Sequence, residues 1–102
     1  MIVYNVTISV DDSITSDWLS WMKNEHIPEV MACGLFIKAK ISKIITEADS
    51  GNTYAVAYSC LTIKHLHQYQ INFSMKLQNK HIARYGDKAV AFRTIMEIIE
   101  EF

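Results

Sequence analysis

Pro28 and the three glycines, Gly34, Gly51 and Gly86, divide a 102-residue chain into stretches that each hold one or two regular elements. Proline lacks an amide hydrogen and glycine alone takes positive φ without strain, so these four residues mark where elements end. Residues 2–10 alternate: Ile2, Tyr4, Val6, Ile8 and Val10 on one side, Val3, Asn5, Thr7 and Ser9 on the other. That period of two predicts a strand with one buried face. Asp11-Asp12-Ser13 ends it and supplies N-cap side chains and negative charge for a following helix.

The helix is expected from about Ile14 to about Glu25. Ile14, Trp18, Met22 and His26 recur every four residues, with Leu19 and Trp21 alongside. Pro28 fits the first position of a new turn after a kink, Pro28 to Cys33, and Gly34 fits a left-handed cap. A second strand is expected from Leu35 to about Glu47, with Ile37, Ala39 and Ile41 opposed to Phe36, Lys38, Lys40 and Ser42, and a bulge at Ile44-Ile45. Ala48-Asp49-Ser50-Gly51-Asn52 reads as a hairpin loop. A third strand runs from Thr53 to about Leu61, with Tyr54, Val56, Tyr58 and Cys60 as its bulky face.

Thr62 then caps a second helix ending at Arg84-Tyr85-Gly86. Leu66, Tyr69, Phe73, Leu77 and His81 trace its stripe, and Ile71, Met75, Gln78 and Ile82 widen it. The last strand, about Lys88 to Ile99, sets Val90, Phe92, Thr94 and Met96 against Ala91, Arg93, Ile95 and Glu97. The order β-α-β-β-α-β predicts an α+β, ferredoxin-like domain over residues 1–102: a four-stranded antiparallel sheet, order 4-1-3-2, with two helices on one face.

The bulky strand faces are expected to meet the helices. The other face would then collect Asn5, Thr7, Ser9, Ala55, Ala57, Ser59, Ala91 and Arg93, small enough for a second sheet to approach. A homodimer packed sheet to sheet is the expected partner arrangement; the alternative is a solvated face.

Half of the residues are hydrophobic, enough for a core. Ten Lys and Arg against eleven Asp and Glu leave a net charge of -1, which disfavours a nucleic-acid backbone as ligand. The apolar runs are too short to span a bilayer, and the amino terminus has no basic region before an apolar one, so a cytoplasmic protein is expected. Cys33 and Cys60 lack a CxxC partner and are expected as reduced thiols.

The runs Met1-Ile2-Val3-Tyr4-Asn5-Val6-Thr7, Trp18-Leu19-Ser20-Trp21-Met22 with His26-Ile27-Pro28, and His81-Ile82-Ala83-Arg84-Tyr85-Gly86-Asp87-Lys88 with Phe92-Arg93-Thr94 resemble the bacterial domain of unknown function family 4286. The resemblance covers nearly the whole chain. It implies the dimeric α/β-barrel superfamily and no particular reaction. Superfamily members include cofactor-free monooxygenases, muconolactone isomerases and haem proteins, an analogy of fold alone.

His26, at the end of an apolar stripe, is the candidate acid or base; it could equally bond a carbonyl freed by Pro28. Trp18, Trp21, Met22, Tyr54 and Tyr58, with Tyr4 and Tyr69, could wall a cavity between helices and sheet or simply fill a core. His81, Arg84, Tyr85 and Arg93 are further ligand candidates, Arg93 alternatively pairing with an acid such as Glu97 of a second copy. His65 and His67 stand two apart on a helix and do not converge, so no metal is expected, and no motif calls for a cofactor. Two functions follow: a homodimer binding a small apolar or aromatic molecule, or a cofactor-independent enzyme using His26 in a cavity of about 300 Å³ or more. A dimerisation module with a solid core is a third.

Overall fold

The computed structural model describes residues 1–46 and 52–102. Its strands are β1 (Ile2–Val10), β2 (Lys38–Lys43), β3 (Thr53–Cys60) and β4 (Ala89–Glu97). They form one antiparallel sheet in the order β2-β3-β1-β4, which read from the other edge is 4-1-3-2. Helices α1 (Thr15–Trp21) and α2 (Ile27–Met31) join β1 to β2; α3 (Ile63–Asn72) and α4 (Ser74–Tyr85) join β3 to β4. Their apolar sides pack on one face of the sheet, the ferredoxin-like arrangement expected. Trp18, Met22, Val30 and Leu66 meet Ile8 and Val56 there, all almost fully buried. Each such side chain contributes about 1.5–3 kcal/mol.

The first crossing starts as expected, with the Asp11 carboxylate accepting the Ser13 amide at 2.9 Å. It does not break at Pro28. Between α1 and α2 lies a π-helical segment, Met22–His26, in which the Ile27 amide donates to the Met22 carbonyl five residues back. In a normal turn the Pro28 ring would press on the carbonyl of Asn24. One wider turn upstream accommodates the ring and lets the helix continue to Met31. Gly34 then takes φ +79°, the left-handed cap.

β2 is shorter than its pattern. Phe36 precedes it and is buried, its ring 5.2 Å from Tyr58 and 4.9 Å from Tyr69. The apolar side chain therefore belongs to the core and not to the lysine-bearing strand face. Ladder pairing ends at Lys43 with no bulge at Ile44-Ile45; the Ile44 amide donates to the Thr53 carbonyl at 2.8 Å. Glu47 and the hairpin residues 48–51 lie outside the described residues.

The second crossing is capped by Thr62, which accepts the His65 amide. It is two helices and not one: Phe73, at φ −130° and ψ −35°, interrupts it. Leu66, Tyr69, Leu77 and His81 are buried as the stripe predicts, whereas Ile71, Met75 and Ile82 are exposed. Gly86 ends α4 at φ +56° and ψ −131°, a backbone open only to glycine.

β4 faces the opposite way from expectation. Directly opposed residues in an antiparallel pair share a face. Tyr4 opposes Ile95, Val6 opposes Arg93 and Ile8 opposes Ala91, so these β4 residues face the helices. Val90, Phe92, Thr94 and Met96 stand on the open face with Thr7 and Ser9. Side-chain size misassigned the faces because this edge strand carries its larger apolar groups outward. Arg93 therefore cannot pair across a sheet-to-sheet interface. Among the described residues no helix is long and apolar enough to cross a membrane.

Candidate ligand cavity between helices and sheet

A cavity of about 40 Å³ lies between the two layers. The sheet contributes Tyr4, Tyr58 and Arg93 to its lining. Met22 and His26 come from the two ends of the π-helical segment, and Tyr69, Gln78 and His81 from α3 and α4. Arg93 is the exposed member of this lining and Gln78 is half-buried, which puts the rim between β4 and α4.

The two histidines differ in their bonding. Trp18 Nε1–H donates to His81 Nε2 at 3.0 Å. His81 is thus an acceptor at Nε2 and, when neutral, carries its proton on Nδ1. Burial, and then the charge of Arg93, lowers its pKa below the ordinary histidine value. His26 stacks on Trp21, with ring centroids 4.7 Å apart and planes at 24°, and lies 5.9 Å from His81. Its Nδ1 is buried and has no hydrogen-bond partner among the described residues. The carbonyl bond that Pro28 could have offered is not formed. Burial, reinforced by His81, pulls its pKa down to about 4, so His26 is neutral at pH 7. A neutral imidazole with an unfilled site can orient a hydroxyl or amide and is a weak base.

Phenols add to the polar lining beside Gln78 and Arg93. Burial raises the pKa of Tyr58 and of Tyr69 above the ordinary tyrosine value, so both remain protonated donors. Five of the expected ligand residues lie outside the cavity. Trp18 is fully buried beside Tyr54, 5.1 Å between centroids. Tyr85 donates to Asp17 at 2.8 Å, Arg84 Nε donates to the Tyr85 oxygen at 3.0 Å, and Arg84 sits 5.6 Å over the Trp21 ring. Met22, His26, Tyr58, His81 and Arg93 do converge. Asp17 had no signal in the sequence: its partners are 67 and 68 residues away. Gln78 reads only as a stripe edge.

Both cysteines are free. No group of three or more His, Cys, Asp or Glu side chains among the described residues could hold a metal ion.

Residues 1–99 match the family described as Domain of unknown function (DUF4286). The chain belongs to that family. A search of curated proteins found no match. Among solved structures, it is similar to an ethyl tert-butyl ether d (ethd) family protein from Bacillus halodurans C-125, at 15% identity and TM-score 0.69, covering 97% of this chain and 100% of that one. A dimeric ferredoxin-like protein from an uncultured marine organism shows 8% identity, TM-score 0.65 and coverage of 99% and 96%. A proposed monooxygenase from Shewanella loihica PV-4 shows 12% identity, TM-score 0.58 and coverage of 98% and 96%. At these identities the likeness establishes the fold for this DUF4286 member and carries no activity with it.

Proposed function

We propose that this DUF4286 chain is a homodimeric domain that binds a small molecule in the slot between helices and sheet. The observation that carries the reading is His26 Nδ1, a buried polar atom without a partner among the described residues, on a residue that lines a void. Such an atom costs about 1–3 kcal/mol unless something fills it. The π-helical turn that presents it supports the same reading, since such turns recur at functional sites. A volume of about 40 Å³ has room for about three waters. The slot therefore takes the polar end of a ligand as it stands, and a whole aromatic ring only after the layers part at the rim.

The test is a titration with phenol, indole and benzamide, followed by amide shifts in NMR spectra. Saturable shifts at His26, Tyr69 and His81 are expected, and they should vanish in His26→Phe, which fills the site with an apolar ring. Linear, unsaturable shifts with all three would end the reading for aromatic ligands.

The unpaired His26 Nδ1 also favours a second reading, a cofactor-independent enzyme with His26 as acid or base. The small void counts against it, because the substrate and its reacting partner need far more room.

The open sheet face supports the dimer. Val90, Phe92 and Met96 are exposed there, beside the short side chains of β1 and β3. Phe92→Lys is expected to shift the sedimentation mass from two chains to one. A wild-type chain that sediments as a monomer at millimolar concentration would remove this part of the proposal.

A further inference from the structure

We infer that the slot takes the carboxylate end of a small organic acid, with Arg93 as the group that binds it. This rests on the binding reading above and specifies its ligand class.

Arg93 is a cation facing the helices from the edge strand, opposite Val6, at the rim of the cavity. Among the described residues it makes no ion pair. The helix-layer acids that pair with cations are committed elsewhere: Asp17 holds Arg84 at 3.4 Å and Glu29 holds Lys80 at 2.7 Å. Glu97, on the same strand face, is four residues along, about 13 Å away at strand rise. An exposed arginine without a carboxylate is ordinary on an open surface. This one borders a lining of neutral donors, and its charge reaches inward, favouring the ionised form of Tyr69 and disfavouring the charged form of His81.

The chemistry of that set selects among anions. The planar guanidinium matches a carboxylate with two parallel hydrogen bonds. The Tyr69 hydroxyl and Gln78 amide are donors suited to the remaining oxygen lone pairs. A phosphate dianion would bring more charge into the slot than one cation offsets. The volume agrees: about 40 Å³, room for about three waters, takes the three heavy atoms of one carboxylate group and leaves the carbons behind it at the rim.

The test compares propionate with propionamide, equal in heavy atoms and differing in charge, at fixed ionic strength and pH 7 by NMR titration. Propionate is expected to bind at least tenfold more tightly than propionamide. Arg93→Gln is expected to abolish that preference, weakening propionate at least tenfold. Equal affinity for the two ligands, or a preference that survives Arg93→Gln, overturns the inference. If phenol, indole or benzamide bind and propionate does not, the carboxylate assignment falls while the binding reading stands. If none of the five binds, both fall.

Discussion

Two aromatic clusters fill the interior, and they are built differently. Around Phe36, the rings of Tyr4, Tyr58 and Tyr69 lie with centroids 4.9–6.3 Å apart and exchange no hydrogen bonds with one another. Around His81, the rings of Trp18, Trp21, His26 and Tyr85 lie with centroids 5.6–6.5 Å away and carry hydrogen bonds from Trp18 to His81 and from Tyr85 to Asp17. The cavity lies on the seam, lined by Tyr4, Tyr58 and Tyr69 from one cluster and His26 and His81 from the other. The first holds the layers together by area alone; the second also commits specific atoms and leaves one unfilled. The largest expected effect is therefore Phe36→Ala. Removing a ring that is 5% exposed should cost about 3–5 kcal/mol. Urea denaturation should show that loss equally at pH 5 and pH 8, because Tyr58 and Tyr69 beside Phe36 stay protonated across that range.

The histidine cluster should differ in this respect. Folding depresses the pKa of His26 from 6.5 to about 4 and that of His81 in the same direction. Between those values the unfolded chain binds more protons than the folded one, so stability rises with pH. It is complete above about pH 6.5 and is lost as pH falls toward 4. The His26 shift alone corresponds to about 3 kcal/mol across that window. Thermal melts from pH 7.5 to 4.5 should therefore fall steeply in the wild type and less steeply in His26→Phe. Parallel curves for the two proteins would show that His26 stays solvated in the folded state.

These clusters were legible to different degrees. Strand alternation and the glycines gave the element order, the sheet order and most of the buried residues, because period and punctuation are local properties. The direction of β4 was not local: its two alternating sets are both partly apolar, and only pairing with β1 decides that Ala91 and Arg93 face inward. Pro28 announced a perturbed helix, but whether the chain kinks or inserts a wide turn depends on what Met22 and Val30 must reach. The break at Phe73 carried no proline or glycine to mark it. His26 was legible as the end of a stripe. That its Nδ1 would lack a partner depends on the packing of both crossings and is invisible in any short window.

The smallest expected effect separates the clusters most directly, because the same atom is removed from each. Tyr85→Phe deletes a hydroxyl that donates to Asp17 at 2.8 Å and accepts from Arg84. Tyr58→Phe deletes a hydroxyl that has no hydrogen bond among the described residues and whose ionisation burial suppresses. A satisfied hydrogen bond is worth about 1 kcal/mol net, whereas removing a hydroxyl that borders the slot and bonds no described residue is close to neutral. The urea midpoint should thus fall slightly in Tyr85→Phe and hold in Tyr58→Phe. Titration with propionate should reverse the ranking: Tyr58 lines the slot and Tyr85 does not, so Tyr58→Phe weakens binding while Tyr85→Phe leaves it unchanged. A loss of stability in Tyr58→Phe equal to that in Tyr85→Phe would mean that the Tyr58 hydroxyl already has a partner in solution, such as a bound water. Its part in receiving a ligand would then be exchange of that partner and not the filling of an empty site.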